Sequence, residues 1–478
     1  MSDETNALEE LHSRIADLIG KELWGQAASE IARLPSADAA EVVSRCDKHT
    51  AAAIFNFLPD SAKPDIASYL EPEAAADIMR DMPSDEAADI LEEMDPDDSA
   101  DVLAEFDKSR SSQVIEQMDD DEAEDVRRLM TYPDDTAGGI MTTDLVALSQ
   151  DATVLDALDA IASEDPDAQL HQVYVTDADK RLVGIVTIVT LIHQKKRDIR
   201  LRDIMEQDFV FVPSNMDQEE VARTLSKYSL SVLPVVDADG VLLGRVTHDD
   251  AIEVIQEEAE EDFFRLAGSK DEELGNISAV KSCRMRLPWL GITFLGGIFS
   301  SLVLNDFTHR FNSVVVLTAF IPNAMAMGGN TGLQSSVLLI RELASGSNRR
   351  HSPMKMFIHE IRTGALMGLI CGAGIFAWAL LLQHITASAS GSAFALQEVV
   401  EHGASATSPI YIAMVVAVAL FSAMSFAAGF GAVVPLAFKS LKIDPAVASG
   451  PMISVINDIS ALLIYYAITY VLLSRNFI

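Results

Sequence analysis

The sequence predicts a multidomain membrane protein: an all-α superhelical N-terminal domain, an α/β module of two similar copies, and an α-helical transmembrane domain of five spans. Three patterns support this fold class, namely a 12-residue repeat, an internal duplication and a series of long runs almost free of charge. A chain of 478 residues is long enough for several domains. The predicted boundaries are 1–133, 134–198, 199–250, a connecting helix at 251–277, and a membrane domain at 278–478.

Charge divides the chain into two halves. Residues 1–277 carry 65 acidic and 23 basic side chains, a net of −42, whereas residues 278–478 carry 7 acidic and 12 basic side chains, a net of +5. The first half lacks the basic face that phosphate binding requires, so nucleic acid is disfavoured as its partner. The second half is apolar and is predicted to lie in a lipid bilayer.

The start of the chain and its cysteines indicate the compartment. The first 14 residues have no basic start and no apolar core, so they do not predict a signal peptide. Cys46, Cys283 and Cys371 lack the spacing of a zinc site or a disulfide framework. We therefore expect the acidic half to be cytosolic.

A branched aliphatic residue recurs every 12 residues in the acidic half, and a second apolar residue follows each one at i+4. The first set is Ile54, Ile66, Ile78, Ile90, Val102, Val114 and Val126. The second set is Leu58, Leu70, Met82, Met94, Phe106, Met118 and Met130. Apolar pairs at i, i+4 mark one face of a helix. With prolines near the joints, where they suit a first turn, the repeat predicts a superhelix of short helices.

Carboxylates follow the same repeat. Asp77, Asp89, Asp101 and Asp125 share one phase of it, and one joint is crowded by Asp95, Asp97 and Asp98. One interpretation is a solvated acidic face, adapted to a salty habitat. The other is cation sensing, because carboxylate oxygens are the ligands of hard divalent cations and bound cations would relieve the repulsion. Both stay open from the sequence.

Two similar segments follow at an offset of 60 residues. The stretch from Val175 to Thr187 matches the stretch ending at Thr247, and each copy reads as strand, helix, strand, turn, strand, helix, with the first helices at Val154–Ala162 and Gln218–Lys227. Each copy resembles a CBS domain, and the pair resembles a Bateman module. The resemblance implies a regulatory module, often one that binds adenine nucleotides.

The ribose-contacting pattern of such modules is present in only one copy. The second copy has Thr247 and Asp250 in place, with Arg245 where an apolar residue is usual, whereas the first copy has Thr190 where the aspartate is expected. The resemblance therefore implies at most one ATP site, at Thr247 and Asp250. A module that serves only dimerisation and cation sensing is the alternative.

An acidic helix follows the second copy. In residues 251–266 the apolar residues Ile252, Ile255 and Ala259 share one face, and six carboxylates crowd the rest. Like charges at helical spacing repel one another, so bound cations or a basic partner would stabilise this helix.

Five runs are long enough to span a membrane. They are Leu287–Leu304, Phe311–Ile340, and approximately Thr363–Leu382, Ser408–Phe438 and Ala446–Ser474. Ten lysines and arginines flank these runs on the side of the N-terminal domains, and only Arg310 and Arg475 flank the other side. The positive-inside rule then predicts a multi-pass protein of the plasma (inner) membrane with a cytoplasmic N-terminus and an external C-terminus.

The second run has an unusual middle, IPNAMAMGGNTGLQ. Backbone loosened by glycines at membrane depth is tolerated where it is buried in protein or faces water. A kinked helix with small packing residues is one interpretation, and an ion pathway is the other. The residues we expect to line such a pathway are Pro322, Gly328, Gly329, Asn330, Gln334 and, from the fifth run, Asn457.

Asp458 is the one charged residue of the fifth run. A carboxylate at membrane depth costs at least about 2.5 kcal/mol on insertion scales, so it calls for a compensating role. A helix-packing hydrogen bond is one such role. A cation site is the other, and it suits Mg²⁺, which keeps most of its waters when it binds a carboxylate.

Residues 322–334 and the stretch DPAVASGPMISVINDISALLIYY closely resemble the MgtE family of magnesium channels, and the order of the domains also matches. The resemblance covers essentially the whole chain. It implies a homodimer with a pore on the two-fold axis and hydrated Mg²⁺ held at Asp458. Backbone carbonyls one and two turns earlier, here Ser454 and Gly450, would complete that site; the family usually has Ala and Asn at these positions.

The same resemblance implies gating by intracellular Mg²⁺, which would bridge the superhelix, the CBS pair and the connecting helix when it is plentiful. The residues implied in sensing are Asp97, Asp98, Asp101, Asp249, Asp250, Glu253, Glu257, Glu258 and Glu261. Clustered carboxylates supply the difference in affinity between two states that such a shift requires.

Three alternative functions make different demands on the sequence. A zinc protease with CBS domains needs H-E-x-x-H, and here Thr363 stands in place of the second histidine after His359 and Glu360, so we predict that the protein is not an enzyme. A proton- or sodium-coupled transporter, for Mg²⁺ or for Mn²⁺ or Co²⁺, would also suit a single intramembrane aspartate. A cation sensor without transport is disfavoured by the polar second run.

Overall fold

A computed structural model describes residues 13–163, 170–267, 278–311, 317–344, 353–388, 409–441 and 450–474. Contacts divide the chain into two compact units, Met1–Gln256 and Glu257–Ile478.

The first unit begins with a series of short helices. Their bounds are α1 Trp24–Ile31, α2 Ser36–Ser44, α3 Lys48–Asn56, α4 Lys63–Ser68, α5 Pro72–Met79, α6 Ser84–Glu92, α7 Pro96–Ala104, α8 Lys108–Ile115 and α9 Asp120–Leu129. Asp47 and Asp107 cap α3 and α8 by accepting hydrogen bonds from backbone N–H groups of the first turn. Contacts join each helix to the second one along the chain, as in α3 with α5 and α5 with α7. This is the predicted superhelix.

The 12-residue repeat forms the superhelix core. All seven branched aliphatic residues are buried, from Ile54 to Val126, and so are six of the seven residues four positions later. The exception is Met130, which is 39% exposed because no further repeat covers it. The second member of each pair, such as Leu58 after α3 or Leu70 after α4, lies in the turn beyond the helix rather than on its face. The apolar pair therefore anchors both the helix and the turn that follows it in the core.

The duplicated module consists of two three-stranded sheets with helices. The first copy contains β1 Ala147–Ser149, α10 Val154–Ser163, β2 Gln172–Thr176, β3 Leu182–Thr187 and α11 Ile188–His193. The second contains β4 Val212–Pro213, α12 Gln218–Tyr228, β5 Val232–Val236, β6 Leu242–Thr247 and α13 His248–Ala267. In each sheet the first pair of strands is parallel and the second pair is antiparallel. The predicted strand and helix order is confirmed.

The two copies exchange their leading segments. Thr142, before the first sheet, pairs with Arg245 of the second sheet, and Glu206, before the second sheet, pairs with Ile185 of the first. A side chain at Gly244 would collide with Met141, so a glycine is required for this close approach. Each copy therefore completes the other.

The second unit contains the long apolar helices. Their bounds are α14 Ala279–Arg310, α15 Ile321–Ala344, α16 Pro353–Ser388, α17 Pro409–Ser440 and α18 Pro451–Ser474. Among the described residues, four of these helices are long and apolar enough to cross a membrane, within Ala279–Arg310, Met354–Leu381, Ile410–Ser440 and Pro451–Leu473. Helix α15 has 24 residues, which is sufficient length, but its polar middle lowers its hydropathy.

Helix α15 corrects one expectation about the second charge-free run. Within the charge-free run Phe311–Ile340, α15 begins at Ile321. Its glycines do not loosen the backbone as expected, because Ile321–Ala344 is one uninterrupted α-helix. The glycines instead allow α18 and α17 to approach closely.

Candidate functional sites

Two helix N-termini bring the carboxylates of the first unit together. Helix α7 starts at Pro96, so Asp97 and Asp98 lie in its first turn and Asp95 precedes it. Helix α13 starts at His248, so Asp249 and Asp250 occupy its first turn. The buried residues Ala251 and Val254 of α13 belong to the same hydrophobic core as the superhelix residues Val102 and Leu103. Packing of the two elements therefore places their acidic ends side by side.

The close packing of these carboxyl groups raises their pKa values. Burial, followed by repulsion from Asp250, Asp98 and Asp95, raises the pKa of Asp97 well above its ordinary value. Burial and repulsion also raise the pKa of Asp98 to about 7, although a hydrogen bond from Ser68 opposes the shift. Burial is again the first cause of the raised pKa of Asp250. The carboxylates are held where their ionised forms are disfavoured unless a cation is near.

The cluster extends along α13. The pKa of Glu253 is raised by partial burial and then by repulsion from Glu71, Asp250 and Asp249. Glu71 immediately precedes α5, so a third helix N-terminus contributes a carboxylate. We call this set the acidic cluster: Glu71, Asp95, Asp97, Asp98, Asp249, Asp250 and Glu253.

One edge of the acidic cluster contains a cation of the protein itself. Arg245 is buried in β6, and its Nη2 lies 3.9 Å from Asp144 Oδ2. Loss of water and repulsion from Asp144 raise the pKa of Asp95, whereas Arg245 lowers it. The Asp95 edge is therefore partly neutralised, whereas no cation of the described residues is among the leading causes of the pKa shifts of Asp97 and Asp250.

On the Asp97–Asp250 side, a buried carboxylate oxygen is available to a ligand. Asp97 is 9% exposed, and its Oδ1 has no hydrogen-bond partner among the described residues. No group of three or more histidine, cysteine or acidic side chains in the described part of the chain has the geometry to hold a bare metal ion. A cation that keeps part of its water shell and bridges carboxylates through it fits this spacing.

The Thr247–Asp250 motif has a local structural role. Asp250 Oδ2 accepts hydrogen bonds from the backbone N–H of Thr247 at 3.0 Å and from its hydroxyl at 2.5 Å, which closes the first turn of α13. In the first copy Thr187 and Thr190 close the same turn through their hydroxyls, at 2.9 Å. The carboxylate thus adds a negative charge to the second copy alone.

The membrane carboxylate, Asp458, lies where α18 meets α15. A side chain at Gly329 would collide with Asp458 Oδ1 and would come within 3.9 Å of Ser454 Oγ. Asp458 and Ser454, one turn apart on α18, therefore both face bare backbone of α15, and both are half-buried. This face offers a carboxylate and a hydroxyl to a cation. The Gly450 carbonyl also accepts a hydrogen bond from the N–H of Ser454, at 3.4 Å.

The adjacent Asn457 has a different environment. Its side chain is fully buried, it packs against Gly332, and neither of its polar atoms has a hydrogen-bond partner among the described residues. Neighbouring residues of a helix point about 100° apart, so Asn457 is enclosed against Gly332 of α15 while Asp458 lies half-buried against Gly329.

Asn330 and Gln334 line a groove on another face of α15. The groove has a volume of about 320 Å³, and its other lining residues come from α15, α16 and α17: Met327, Thr331, Met367, Ile370, Cys371 and Met424. Asn330 and Gln334 are both exposed in the protomer.

Three families match this chain. The family described as a divalent cation transporter, MgtE, matches residues 321–468; the MgtE intracellular N domain matches 34–135; and the CBS domain matches 137–196 and 201–257. The "Magnesium transporter MgtE" of Bacillus subtilis (strain 168) is 32% identical over 73% of this chain and 72% of its own length. The chain belongs to the MgtE family.

Other relatives carry the same name. The "Magnesium transporter MgtE" of Thermus thermophilus is 33% identical, covering 73% of this chain and 72% of that protein. The solved structure titled "Crystal structure of the cytosolic domain of the Mg2+ channel MgtE in complex with ATP" is 32% identical and covers 48% of this chain and 94% of that one, with a TM-score of 0.45.

In this MgtE chain the structure brings together five of the nine predicted sensing residues: Asp97, Asp98, Asp249, Asp250 and Glu253. Asp101 is exposed one turn later on α7, and it contributes to the repulsion at Asp98. Glu257, Glu258 and Glu261 lie on later turns of α13, which belong to the second compact unit, and Glu261 forms an ion pair with Arg265.

Sequence reasoning missed three contributors to the cluster. Glu71 and Asp144 are far apart in the chain and carry no local signal. Arg245 did carry a signal, because it replaces an apolar residue in the CBS pattern, but its role as a buried counter-charge required the structure.

The structure places the expected pathway residues in different surroundings. Pro322 is the second residue of α15 and is exposed, so it starts the helix, as proline does well in a first turn. Asn457 is completely buried in the protomer, and its place in the pathway stays a prediction. Gly328 and Gly329 are buried against α18, and Asn330 and Gln334 face the groove instead of Asp458.

Proposed function

We propose that this MgtE family member transports Mg²⁺ across the membrane through a pathway that includes Asp458, and that cytosolic Mg²⁺ bound at the acidic cluster closes that pathway. The observation that carries the proposal is the position of Asp458, a half-buried carboxylate on a membrane helix that faces bare glycine backbone. An ionisable residue at membrane depth marks an ion pathway far more often than a packing contact.

The chemistry of this site suits a hydrated divalent cation. Asp458 supplies a charge and Ser454 a hydroxyl, while the carbonyls of Ser454 and Gly450 add oxygen ligands near the start of α18. One carboxylate per protomer binds a hydrated ion weakly enough to release it, which transport requires. Mg²⁺ sheds its waters reluctantly and is therefore held through them.

The protein functions in this proposal as a homodimer. Asn330 and Gln334 are exposed on the protomer at membrane depth, where contact with lipid is unfavourable for amides. A second copy or a water-filled path between copies would cover them, and symmetry would bring two Asp458 carboxylates to one axis.

Cytosolic Mg²⁺ acts as a regulator in this proposal. The buried carboxylates of Asp97, Asp98 and Asp250 have raised pKa values and face one another from the superhelix and from α13. Cations that bridge them favour the packed arrangement of these elements over a separated one, and only such a difference in affinity can shift a population. Helix α13 continues from this cluster into the second unit, so it connects the two parts of the chain.

The N-terminal domains lie on the cytoplasmic side and the C-terminus outside, as the distribution of lysines and arginines supports. ATP at the CBS pair stays a prediction of the motif. Thr247 bonds to Asp250 Oδ2, which leaves Oδ1 for a ribose hydroxyl. Equilibrium dialysis of the purified protein with ATP, beside Asp250→Ala, tests that site.

Flux into proteoliposomes tests the transport proposal. Mg²⁺ entry is followed with a trapped indicator in sodium-free buffer, with an ionophore present to abolish any proton gradient. We expect entry that follows the Mg²⁺ gradient and the membrane potential, and that falls at least about tenfold in Asp458→Asn. Ser422→Ala, which removes a hydroxyl bonded only within its own helix, should transport normally. Flux that requires a proton or sodium gradient would replace the proposal with a coupled transporter.

A further inference from the structure

Three tyrosine hydroxyls tie the C-terminal half of α18 to its surroundings. Tyr465 donates a hydrogen bond to the Leu317 carbonyl oxygen at 2.9 Å, just before α15, and Tyr466 donates one to Asp306 Oδ2 of α14 at 2.7 Å. Tyr411 of α17 donates to the carbonyl oxygen of Leu472 on α18 at 2.7 Å. We call Tyr411, Tyr465 and Tyr466 the tyrosine collar. It connects α18 to three other parts of the membrane unit.

Aromatic packing supports the tyrosine collar. Phe307 of α14 is fully buried, with ring centroids 6.0 Å from Tyr465, 5.5 Å from Tyr466 and 4.7 Å from Phe311. Asp306 also accepts a hydrogen bond from Arg310 Nε at 2.8 Å, which holds its carboxylate toward Tyr466. The bond from Tyr465 is buried, where a hydrogen bond is stronger than in water, and the ring contacts around Phe307 add to the bonds of Tyr465 and Tyr466. This end of α18 is therefore firmly held.

The N-terminal half of α18 contacts its neighbours in a different way. Side chains of this half face glycines on other helices: Val455 with Gly296, Asn457 with Gly332, Asp458 with Gly329 and Ala461 with Gly328. In the described residues of α18 before Tyr465, no side chain is hydrogen-bonded to another helix. Each of these side chains occupies the space that a glycine leaves, so this half is held by packing and not by hydrogen bonds whose direction would fix its tilt.

The buried amide of Asn457 favours a second position of this half of α18. Its amide is completely buried, and neither polar atom is bonded to any described residue. An unsatisfied buried amide is unfavourable, and such groups in a native structure often mark stored strain. A second position of α18 in which the amide finds a partner would relieve that strain.

We propose that the tyrosine collar is the fixed pivot of α18, around which the half that carries Asp458 tilts when the pathway closes. The proposal rests on the function proposed above. Asp458 precedes Tyr465 by seven residues, which is about 10 Å along the helix, so a tilt of about 10° at the collar moves the carboxylate by about 2 Å. That displacement is enough to change whether Asp458 and Ser454 both face one ion. Tyr411, Tyr465 and Tyr466 are thus positioning residues.

Tyr466→Phe is the sharpest test, because it removes only the hydroxyl and keeps the ring against Phe307. We measure Mg²⁺ flux in proteoliposomes at low and at saturating Mg²⁺ on the cytosolic face, and take the ratio of residual to maximal flux. If the weakened collar no longer holds α18, closure does not displace Asp458 fully. The ratio of residual to maximal flux should then rise at least threefold. A variant that only folds poorly would lower both fluxes and leave the ratio unchanged.

Two further variants complete the test. Asp306→Asn keeps an acceptor oxygen for Tyr466 and should preserve the wild-type ratio, whereas Asp306→Ala should raise it. Tyr470→Phe removes the hydroxyl of an exposed tyrosine one turn further along α18 and serves as the control. If wild-type flux closes with cytosolic Mg²⁺ and Tyr466→Phe closes equally well, the collar proposal is overturned alone. If wild-type flux does not respond to cytosolic Mg²⁺, the gating proposal and the pivot are both overturned.

Discussion

The acidic cluster and the membrane site both use carboxylates, but in opposite arrangements. In the first unit several carboxylates from three helix N-termini are packed together, with Arg245 compensating one edge alone. In the membrane unit Asp458 is the single carboxylate of α18, placed against the backbone of Gly329.

This difference suits the two uses that we propose for Mg²⁺. Crowded carboxylates repel one another until a cation arrives, so their packing depends strongly on cation concentration, as a sensor requires. One carboxylate from each protomer offers modest affinity, so an ion that binds between them also leaves. In our proposal, the number of carboxylates packed together distinguishes the regulatory site from the transport site.

The largest expected effect is at the membrane site. Gly329→Ala places a methyl group against Asp458 Oδ1 and should displace the carboxylate, so Mg²⁺ flux should fall roughly tenfold, as a small misplacement can cause. Gly297→Ala is the matched control, because nothing lies within 4 Å of the added methyl group. Equal flux in the two variants would show that the Gly329–Asp458 contact has no role in transport.

The next effect concerns the compensated edge of the acidic cluster. Arg245→Gln leaves Asp144 and Asp95 without their buried counter-charge and should destabilise the first unit by about 3 kcal/mol in the absence of divalent cations. Arg45→Gln removes an exposed arginine that pairs with Glu41, which should change stability by about 0.5 kcal/mol or less. Chemical denaturation of the full-length protein in detergent measures both. Equal changes in the free energy of unfolding would show that Arg245 is not a structural counter-ion.

The cluster also predicts how stability depends on pH. The pKa of Asp98 in the folded state, about 7, lies above the ordinary 3.8, so the folded chain holds this proton more tightly than the unfolded chain does. Stability without divalent cations is therefore greatest below about pH 4 with respect to this group, and falls as the pH rises toward 7.

Thermal unfolding of the first unit within the full-length protein measures this pH dependence. Without divalent cations its midpoint should be about 5 °C lower at pH 8 than at pH 5, and added Mg²⁺ should raise it more at pH 8. An equal response to Mg²⁺ at the two pH values would contradict the assignment of the carboxylates as its binding groups.

The smallest effect tests the repeat that supports the cluster. Met82 is 7% exposed and Met130 is 39% exposed at equivalent positions of the 12-residue repeat. Met82→Ala should destabilise the superhelix by about 2 kcal/mol or more, and Met130→Ala by less than about 1 kcal/mol. Denaturant unfolding compares them, and equal losses would mean that position in the repeat, not burial, sets stability.

Periodicity made much of the fold predictable. Ile54 and its successors are buried as the 12-residue spacing predicts, because each repeat meets the same neighbours. The end of the pattern was less visible, since the exposure of Met130 depends on which residues pack beyond the last repeat. The strand order of the CBS pair was readable from the duplication, but the exchange of leading segments through Thr142 and Glu206 was not.

Some features of the two sites could also be predicted from the sequence, and others could not. Asp458 was evident from the sequence because a charge in an apolar run is conspicuous. The separate environments of Asn457 and Asp458 could not be read from their adjacency, since the direction of each side chain depends on how α18 meets α15. Glu71 belongs to the acidic cluster, and Asp144 lies beside its Asp95 edge, through tertiary packing alone.

The most direct test of separate sensing and transport sites is a titration of Mg²⁺ flux against cytosolic Mg²⁺ in three proteins. They are the wild type, Asp97→Asn combined with Asp98→Asn, and Asp458→Asn, with Asp121→Asn as an exposed control on α9. We expect the double variant to need several-fold more cytosolic Mg²⁺ for closure while its maximal flux stays normal. Asp458→Asn should lose maximal flux and keep Mg²⁺-dependent stabilisation of the first unit. Loss of maximal flux in the double variant, or an unchanged closure midpoint, would contradict the separation of sensing from passage.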